Sequence, residues 1–352
     1  MGSVNITPKR AVDLVAAIAM ASGSPESEAR GLGENLVDAN LTGHDSHGVS
    51  MLPLYIDMVR AGTMNVGATP KIVAETAATL VVEGNRGYGQ TIMAQATDML
   101  CAKAKKSGAA VLALRETHHI GRIGAWAERC AAQGLASIFL VDVVGVDAKV
   151  APHNGRDARL GTNPICLGFP RKGKPPVVAD MATSRVAVGK IRVSLNKGER
   201  IAEGLIIDAE GKPSTDPATM FTDPMGALLT MADHKGYALS VMMEMFAGAL
   251  GGGQTIATLQ PHLKRIVNNC IGVAIDPAAL GTEDTMTAEA DRMEAWLKAS
   301  PKRGTDDVLL PGEPELASRG KRAVTFPIDD GTWKLLADIA RDYGIDAKTY
   351  LA

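Results

Sequence analysis

The chain has 352 residues, 46% of them apolar and 22% charged, with a formal net charge of −2 at pH 7. This is the balance of an ordinary globular protein long enough to bury a sizeable core, and with no basic excess nucleic acid is not an expected partner. Cys101, Cys130, Cys166 and Cys270 form no CxxC pair and no apolar run suggests a membrane span, so a cytoplasmic protein without a disulfide scaffold is expected.

Residues 7–40 read as two amphipathic helices. Thr7-Pro8 gives an N-cap with proline at the first helical position, ahead of Val12, Leu14, Val15, Ile18 and Ala19, and Ser24-Pro25 starts the second helix in the same way;. Next comes a dense polar stretch, His44-Asp45-Ser46-His47-Gly48-Val49, followed by a short helix from Leu52 to about Gly62. Lys71 to Ala74 and Thr79 to Glu83 read as strands, and Gly84 to Gly89 as a turn leading into a helix over 90–107;. The buried-strand run Val111 to Leu114 delivers a second cluster, His118-His119-Ile120-Gly121-Arg122. A helix over 125–133 and a strand over 137–141 complete an α/β (α+β) pattern.

Residues 150–216 are rich in glycine, proline and asparagine. They include Gly161-Thr162-Asn163-Pro164 before the apolar run Ile165 to Phe169, and Val177-Val178-Ala179 running into Asp180-Met181-Ala182-Thr183-Ser184. His234-Lys235-Gly236-Tyr237 opens a long helix to about Leu250, closed by three glycines;. The tail carries Leu310-Pro311-Gly312-Glu313-Pro314 and a final helix over 332–343. No internal repeat or linker is visible.

Two histidine clusters make proton transfer by His47 or His119 the first candidate chemistry, with Ser46 orienting a substrate oxygen or capping a helix. A zinc site from His44, Asp45 and His47, completed by His118 or His119, is a second possibility, which would make the protein a metal-dependent lyase or hydrolase. No GxGxxG follows a strand and there is no P-loop, so phosphate would be held at helix N-termini such as those near Thr183-Ser184 and His234-Lys235-Gly236. From the residues alone, the chain is an enzyme using histidine acid/base chemistry on a small anionic or carbonyl substrate.

The six ordered motifs His44 to Val49, His118 to Gly121, Gly161 to Pro164, Asp180 to Ser184, His234 to Tyr237 and Leu310 to Glu313 resemble the type 2 malate/L-lactate dehydrogenases. Within that family the chain is most similar to the hydroxycarboxylate dehydrogenase B branch. The resemblance implies a homodimeric, NAD(P)-dependent oxidoreductase of 2-hydroxy and 2-keto acids, with no resident metal; reduction of a cyclic imine carboxylate is the alternative within the family. It implies a non-Rossmann sheet domain over 73–284, carrying the 234–250 helix, and a helical domain from 1–72 completed by 285–352. Ser46 and His47 would contact the substrate oxygen and carboxylate, and His119 would exchange the proton, with either histidine open as the acid/base. Asp180, Met181, Ala182, Thr183, Ser184, Lys235, Gly312 and Glu313 would line the cofactor, and Thr162 and Asn163 would sit where nicotinamide meets substrate. The cofactor is NAD, taken first, or NADP, for which Arg185, Lys190 and Arg192 could meet a 2′-phosphate.

One position departs from the family. Many relatives place a carboxylate-clamping arginine four residues after the histidine equivalent to His47, and here that residue is Met51. A thioether does not replace a bidentate guanidinium. Met51 is therefore expected to contact an apolar substrate tail and Arg122 to take over the carboxylate, unless Arg122 only pairs with an acid such as Glu128 or Asp142.

Overall fold

The computed structural model describes residues 2–258 and 266–351. The chain enters through β1 (Ser3–Ile6), α1 (Pro8–Ala21) and α2 (Glu26–Leu41). α1 begins as its sequence directs, with the Thr7 hydroxyl accepting from Arg10 N–H and Pro8 in the first turn;. Two 3₁₀ turns, Asp45–His47 and Val49–Met51, carry the first histidine stretch into α3 (Leu52–Arg60). Then come β2 (Lys71–Glu75), β3 (Thr79–Glu83), α4 (Gly89–Ser107), β4 (Ala109–His118), α5 (Gly124–Ala131), β5 (Ala136–Val144), β6 (Ile165–Phe169) and β7 (Val177–Met181). A smaller section follows, with α6 (Val188–Lys197) and the two-residue strands β8 (Ile206–Ile207), β9 (Pro213–Ser214) and β10 (Ala227–Leu228). α7 (His234–Met243) passes into a π-helical segment, Glu244–Leu250, where a continuous α-helix is expected from the sequence. β11 (Val267–Ile275), α8 (Glu283–Lys298), α9 (Glu313–Arg322), β12 (Phe326–Asp329) and α10 (Asp330–Asp342) end the chain.

Seven strands form one mixed sheet in the order β2-β3-β4-β11-β5-β6-β7. The β3–β4 pair is parallel and the other neighbours are antiparallel. β11 is the least legible strand, because Asn268 and Asn269 interrupt its apolar run. It nevertheless sits between β4 and β5, with Val267 opposite both His118 and Val144.

One apolar cluster joins the two ends of the chain: Leu14, Ile18, Leu32, Leu36, Leu52 and Ile56 pack with Phe326, Ile328 and Leu336. β1 pairs with β12 beside it. Arg171–Glu294 and Lys174–Asp291 ion pairs, each 2.7 Å, hold α8 against the β6–β7 connection, so this late segment lies on the sheet side. The glycine-rich span builds a small core of its own, with Val150, Leu160, Ile191, Ile206, Met220 and Leu228. Among the described residues, no helix is long and apolar enough to cross a membrane.

Candidate active site

The first histidine stretch is shaped from behind by Asn40, a buried residue near the end of α2. Its amide donates to Asp45 Oδ1 at 2.7 Å and its carbonyl accepts from Val49 N–H at 2.9 Å, which clips the two 3₁₀ turns into one bend. Gly48 is required there, because a Cβ would lie 2.2 Å from Asn40 Oδ1. The second cluster leaves the end of β4. The backbone carbonyls of His118 and His119 press on the start of α4, where a Cβ on Gly89 would come within 2.2 Å of both. Asn268 accepts from Ile120 N–H at 3.0 Å and fixes the chain beyond.

This places the His47 and His119 rings 5.4 Å apart between centroids. Ser46 Oγ lies 3.0 Å from His47 Nδ1, and Tyr55 Oη lies 2.6 Å from His119 Nδ1. The buried Gln90 donates its Nε2–H to the same Tyr55 oxygen at 2.7 Å, leaving the phenol proton to point at His119. Burial holds the Tyr55 hydroxyl well above the ordinary tyrosine range, so it keeps that proton;. His119 Nδ1 therefore accepts, and the ring's own proton is assigned to Nε2. Burial pushes His119 down to about 3, helped by His47 and His118. It pushes His47 down to about 4, helped by His44 and Arg122. Both rings are neutral at physiological pH. Neither Nε2 has a hydrogen-bond partner among the described residues.

The other expected residues divide into those that gather around this pair and those whose side chains are already engaged. Asp180 Oδ2 accepts from Gly124 N–H at 2.6 Å, tying the end of β7 to the start of α5. Thr183 donates from its N–H and its hydroxyl to the Thr162 carbonyl, 3.0 Å in each case. The Thr183 carbonyl in turn accepts from Met231 N–H, and Ser184 bridges Thr230. That brings Asp180 to Ser184 alongside the start of α7, where Lys235 is exposed. Ala232 and Asp233, with φ of 45° and 54°, make the sharp entry to α7. Gly312, with φ of 94°, opens α9 next to β7, where Val178 N–H donates to the Pro311 carbonyl. Glu313 caps that turn, accepting from Leu310 N–H and pairing with Lys298 at 2.5 Å.

Three expectations need correction. Asn163 is fully buried and turned into the protein: its carbonyl accepts from Val143 N–H, and its amide donates to Ser240 and to Glu244 Oε1. Its hydrogen bonds fix a left-handed turn and leave none for a substrate. Met51 is half-buried and packs against the apolar cluster that joins the chain ends. Arg122 is 3% exposed and shares one Nη2 between Asp38 and Glu128, 3.0 Å from each. Its acid partners thus include Glu128, as one expectation had it, and Asp38 in place of Asp142. Of the candidate 2′-phosphate contacts, Arg185 pairs with Asp233 and Arg192 stacks on Phe221, while Lys190 is exposed. Asp45 is occupied by Asn40 and Arg322, and among the described residues no group of three potential ligands surrounds a metal-sized site.

Tyr55, Gln90, Asn40 and Arg322 are site residues that the sequence does not flag. Tyr55 sits inside an apolar helical run and reads as core, and nothing local marks Gln90 or Asn40 as buried.

The profile of the malate/L-lactate dehydrogenase family matches residues 6–337, and the chain belongs to that family, whose members are dehydrogenases acting on hydroxy acids. Hydroxycarboxylate dehydrogenase B of Escherichia coli O157:H7 is 44% identical over 333 residues, covering 94% of this chain and 92% of that one. A solved E. coli structure assigned to the malate/lactate dehydrogenases superposes with a TM-score of 0.94 at 41% identity, covering 98% of this chain and 97% of the other. A Delta(1)-pyrroline-2-carboxylate/Delta(1)-piperideine-2-carboxylate reductase of Pseudomonas putida is 37% identical over 240 residues, covering 68% of this chain and 69% of that one.

Proposed function

We propose that the protein interconverts a small 2-hydroxy acid and its 2-keto acid with NAD(P), using His119 to exchange the proton and Ser46 with His47 to hold the substrate. The observation that carries this reading is the pair of neutral histidines 5.4 Å apart, each with one nitrogen engaged by a hydroxyl. A neutral ring can hydrogen-bond the substrate carbonyl through its N–H. Once the arriving carboxylate has drawn a second proton onto it from solvent, the imidazolium can give its Nε2 proton to the alkoxide and return to the neutral form. A positioned histidine contributes roughly 10²–10⁴ in rate. Gln90 and Tyr55 fix the tautomer of His119, whereas the Ser46 hydroxyl can donate or accept, leaving His47 free to match either substrate state.

A bound nicotinamide supplies or receives the hydride. Asp180 to Ser184, Lys235 and the Gly312–Glu313 turn would hold that cofactor, and the residues fit it. At the start of α7 the Lys235, Gly236 and Tyr237 N–H groups already donate to the Ala232, Met231 and Asp233 carbonyls, so it is the exposed Lys235 ammonium that suits a phosphate there;. A cavity of about 360 Å³ lies beside Gly312 and Val178 and has room for a nucleoside. The mostly antiparallel sheet supports a cofactor site unlike the doubly wound kind;.

The test is to mix the protein with NADH or NADPH and a panel of 2-keto acids and follow absorbance at 340 nm. Turnover supports the reading, and none across the panel refutes it. Cyclic imine carboxylates belong in the same panel, since the Pseudomonas relative is named for reducing them. The homodimer implied by the resemblance is expected in solution and is checked by light scattering.

A further inference from the structure

α9 links the expected cofactor turn to the first histidine stretch. It starts at the Gly312–Glu313 turn beside β7 and then runs along the first histidine stretch. Ser318 donates to the Leu41 carbonyl at 2.9 Å. Arg322, at the far end, donates to the Asn40 carbonyl and grips Asp45 with both terminal nitrogens, at 2.7 and 3.1 Å. Asp45 is the residue before Ser46 and His47. Its other carboxylate contact is the Asn40 amide, and its backbone carbonyl accepts from Ser50 Oγ at 2.6 Å. The Asp45 side chain is half exposed, and an exposed pair of this kind adds roughly 1 kcal/mol or less to stability;. What a planar, two-pronged pair does supply is direction.

We propose that Asp45 and Arg322 are positioning residues: the pair clamps the Asp45–His47 turn to α9, so that the His47 ring stays beside His119. The polar stretch thus contains two kinds of residue. Ser46 and His47 face the reaction, and Asp45 faces the helix that holds them. The proposal rests on the oxidoreductase reading.

Arg322→Met, Arg322→Lys, Asp45→Asn and the double variant R322M/D45N test it with two readouts. The first is steady-state kinetics with NADH and a 2-keto acid, with NADH affinity measured separately by fluorescence. The second is the rate at which diethyl pyrocarbonate modifies His47 in ligand-free protein, read by peptide mass. Arg322→Met and Asp45→Asn are each expected to lower kcat roughly 10–100-fold, the cost of a misplaced reacting group. NADH affinity should stay within about twofold, because neither residue touches the cofactor side. His47 modification should speed up several-fold, the double variant should be no worse than either single one, and Arg322→Lys should recover part of kcat. Multiplying losses in the double variant, or a lower unfolding temperature with kcat and His47 modification unchanged, would overturn the clamp. If the wild type shows no turnover, it is the oxidoreductase reading that fails, and the modification arm still decides whether Asp45 and Arg322 hold His47.

Discussion

In the proposed reaction His119 exchanges the proton, and its protonation in the free protein follows from counting donors. Gln90 fills one acceptor site of the Tyr55 oxygen, Tyr55 donates a hydrogen bond to His119 Nδ1 while keeping its proton, and His119 is left with Nε2–H for the substrate. His119→Gln should lower kcat roughly 10²–10⁴-fold. Tyr55→Phe removes only the tautomer lock and should cost about tenfold in kcat, one hydrogen bond's worth. A Tyr55→Phe loss as large as that of His119→Gln would show that Tyr55 itself moves the proton. The low histidine values also bear on stability. Unfolded, both rings take a proton near pH 6.5; folded, they resist until about 4 and about 3. Their contribution is nil above pH 7 and increasingly destabilising as pH falls from about 6.5. Urea unfolding of wild type and the H47Q/H119Q variant at pH 7.5 and pH 5 should therefore show the smaller acid loss in the variant.

Short elements aim these side chains, and their tightest points are glycines. Gly89→Ala would push a methyl into the carbonyls of His118 and His119, at a cost of about 3 kcal/mol in denaturant unfolding;. What stability survives should come with reduced kcat, since the shift falls on His119. The entry to α7 stores strain of the opposite kind. Ala232 is exposed with φ of 45°, so Ala232→Gly should stabilise the fold by up to about 1 kcal/mol;. A destabilised Ala232→Gly would mean that the methyl makes a contact outside the chain. Ser240 and Glu244, four residues apart on one face of the helix, both meet the Asn163 amide, and the Glu244 carboxylate also accepts from Ile256 N–H. Burial raises the Glu244 carboxyl above its ordinary range.

At the scale of the whole molecule, the chain-end cluster meets the sheet through a ring of four charges. Arg122 and Arg319 each bridge Asp38 of α2 and Glu128 of α5, at 2.8–3.0 Å. Arg122→Met strands two acids on a single partly exposed arginine and should cost about 3 kcal/mol in unfolding free energy. In this role Arg122 affects the KM for a 2-keto acid and for a neutral ketone alike. A rise confined to the keto acid would restore it as the carboxylate clamp.

Much of this architecture is legible in the sequence. Periodicity marks α1–α5, β2 to β5 and α10, with Thr7 as a cap at α1, because those segments carry their signals locally. β11 is not legible, since a strand with two asparagines is stabilised by its neighbours on both edges. Nor is the pairing of chain ends, which depends on contacts across most of the chain length. By itself, the sequence determined the family, through six motifs in order, and singled out the residues of the proposed chemistry: two histidine clusters and a serine beside one of them. Tertiary structure alone decided which polar groups remain free for that chemistry. Asn163, Arg122 and Asp45 are as polar as His47 and His119, and in the fold their hydrogen bonds are already spent on partners distant in sequence.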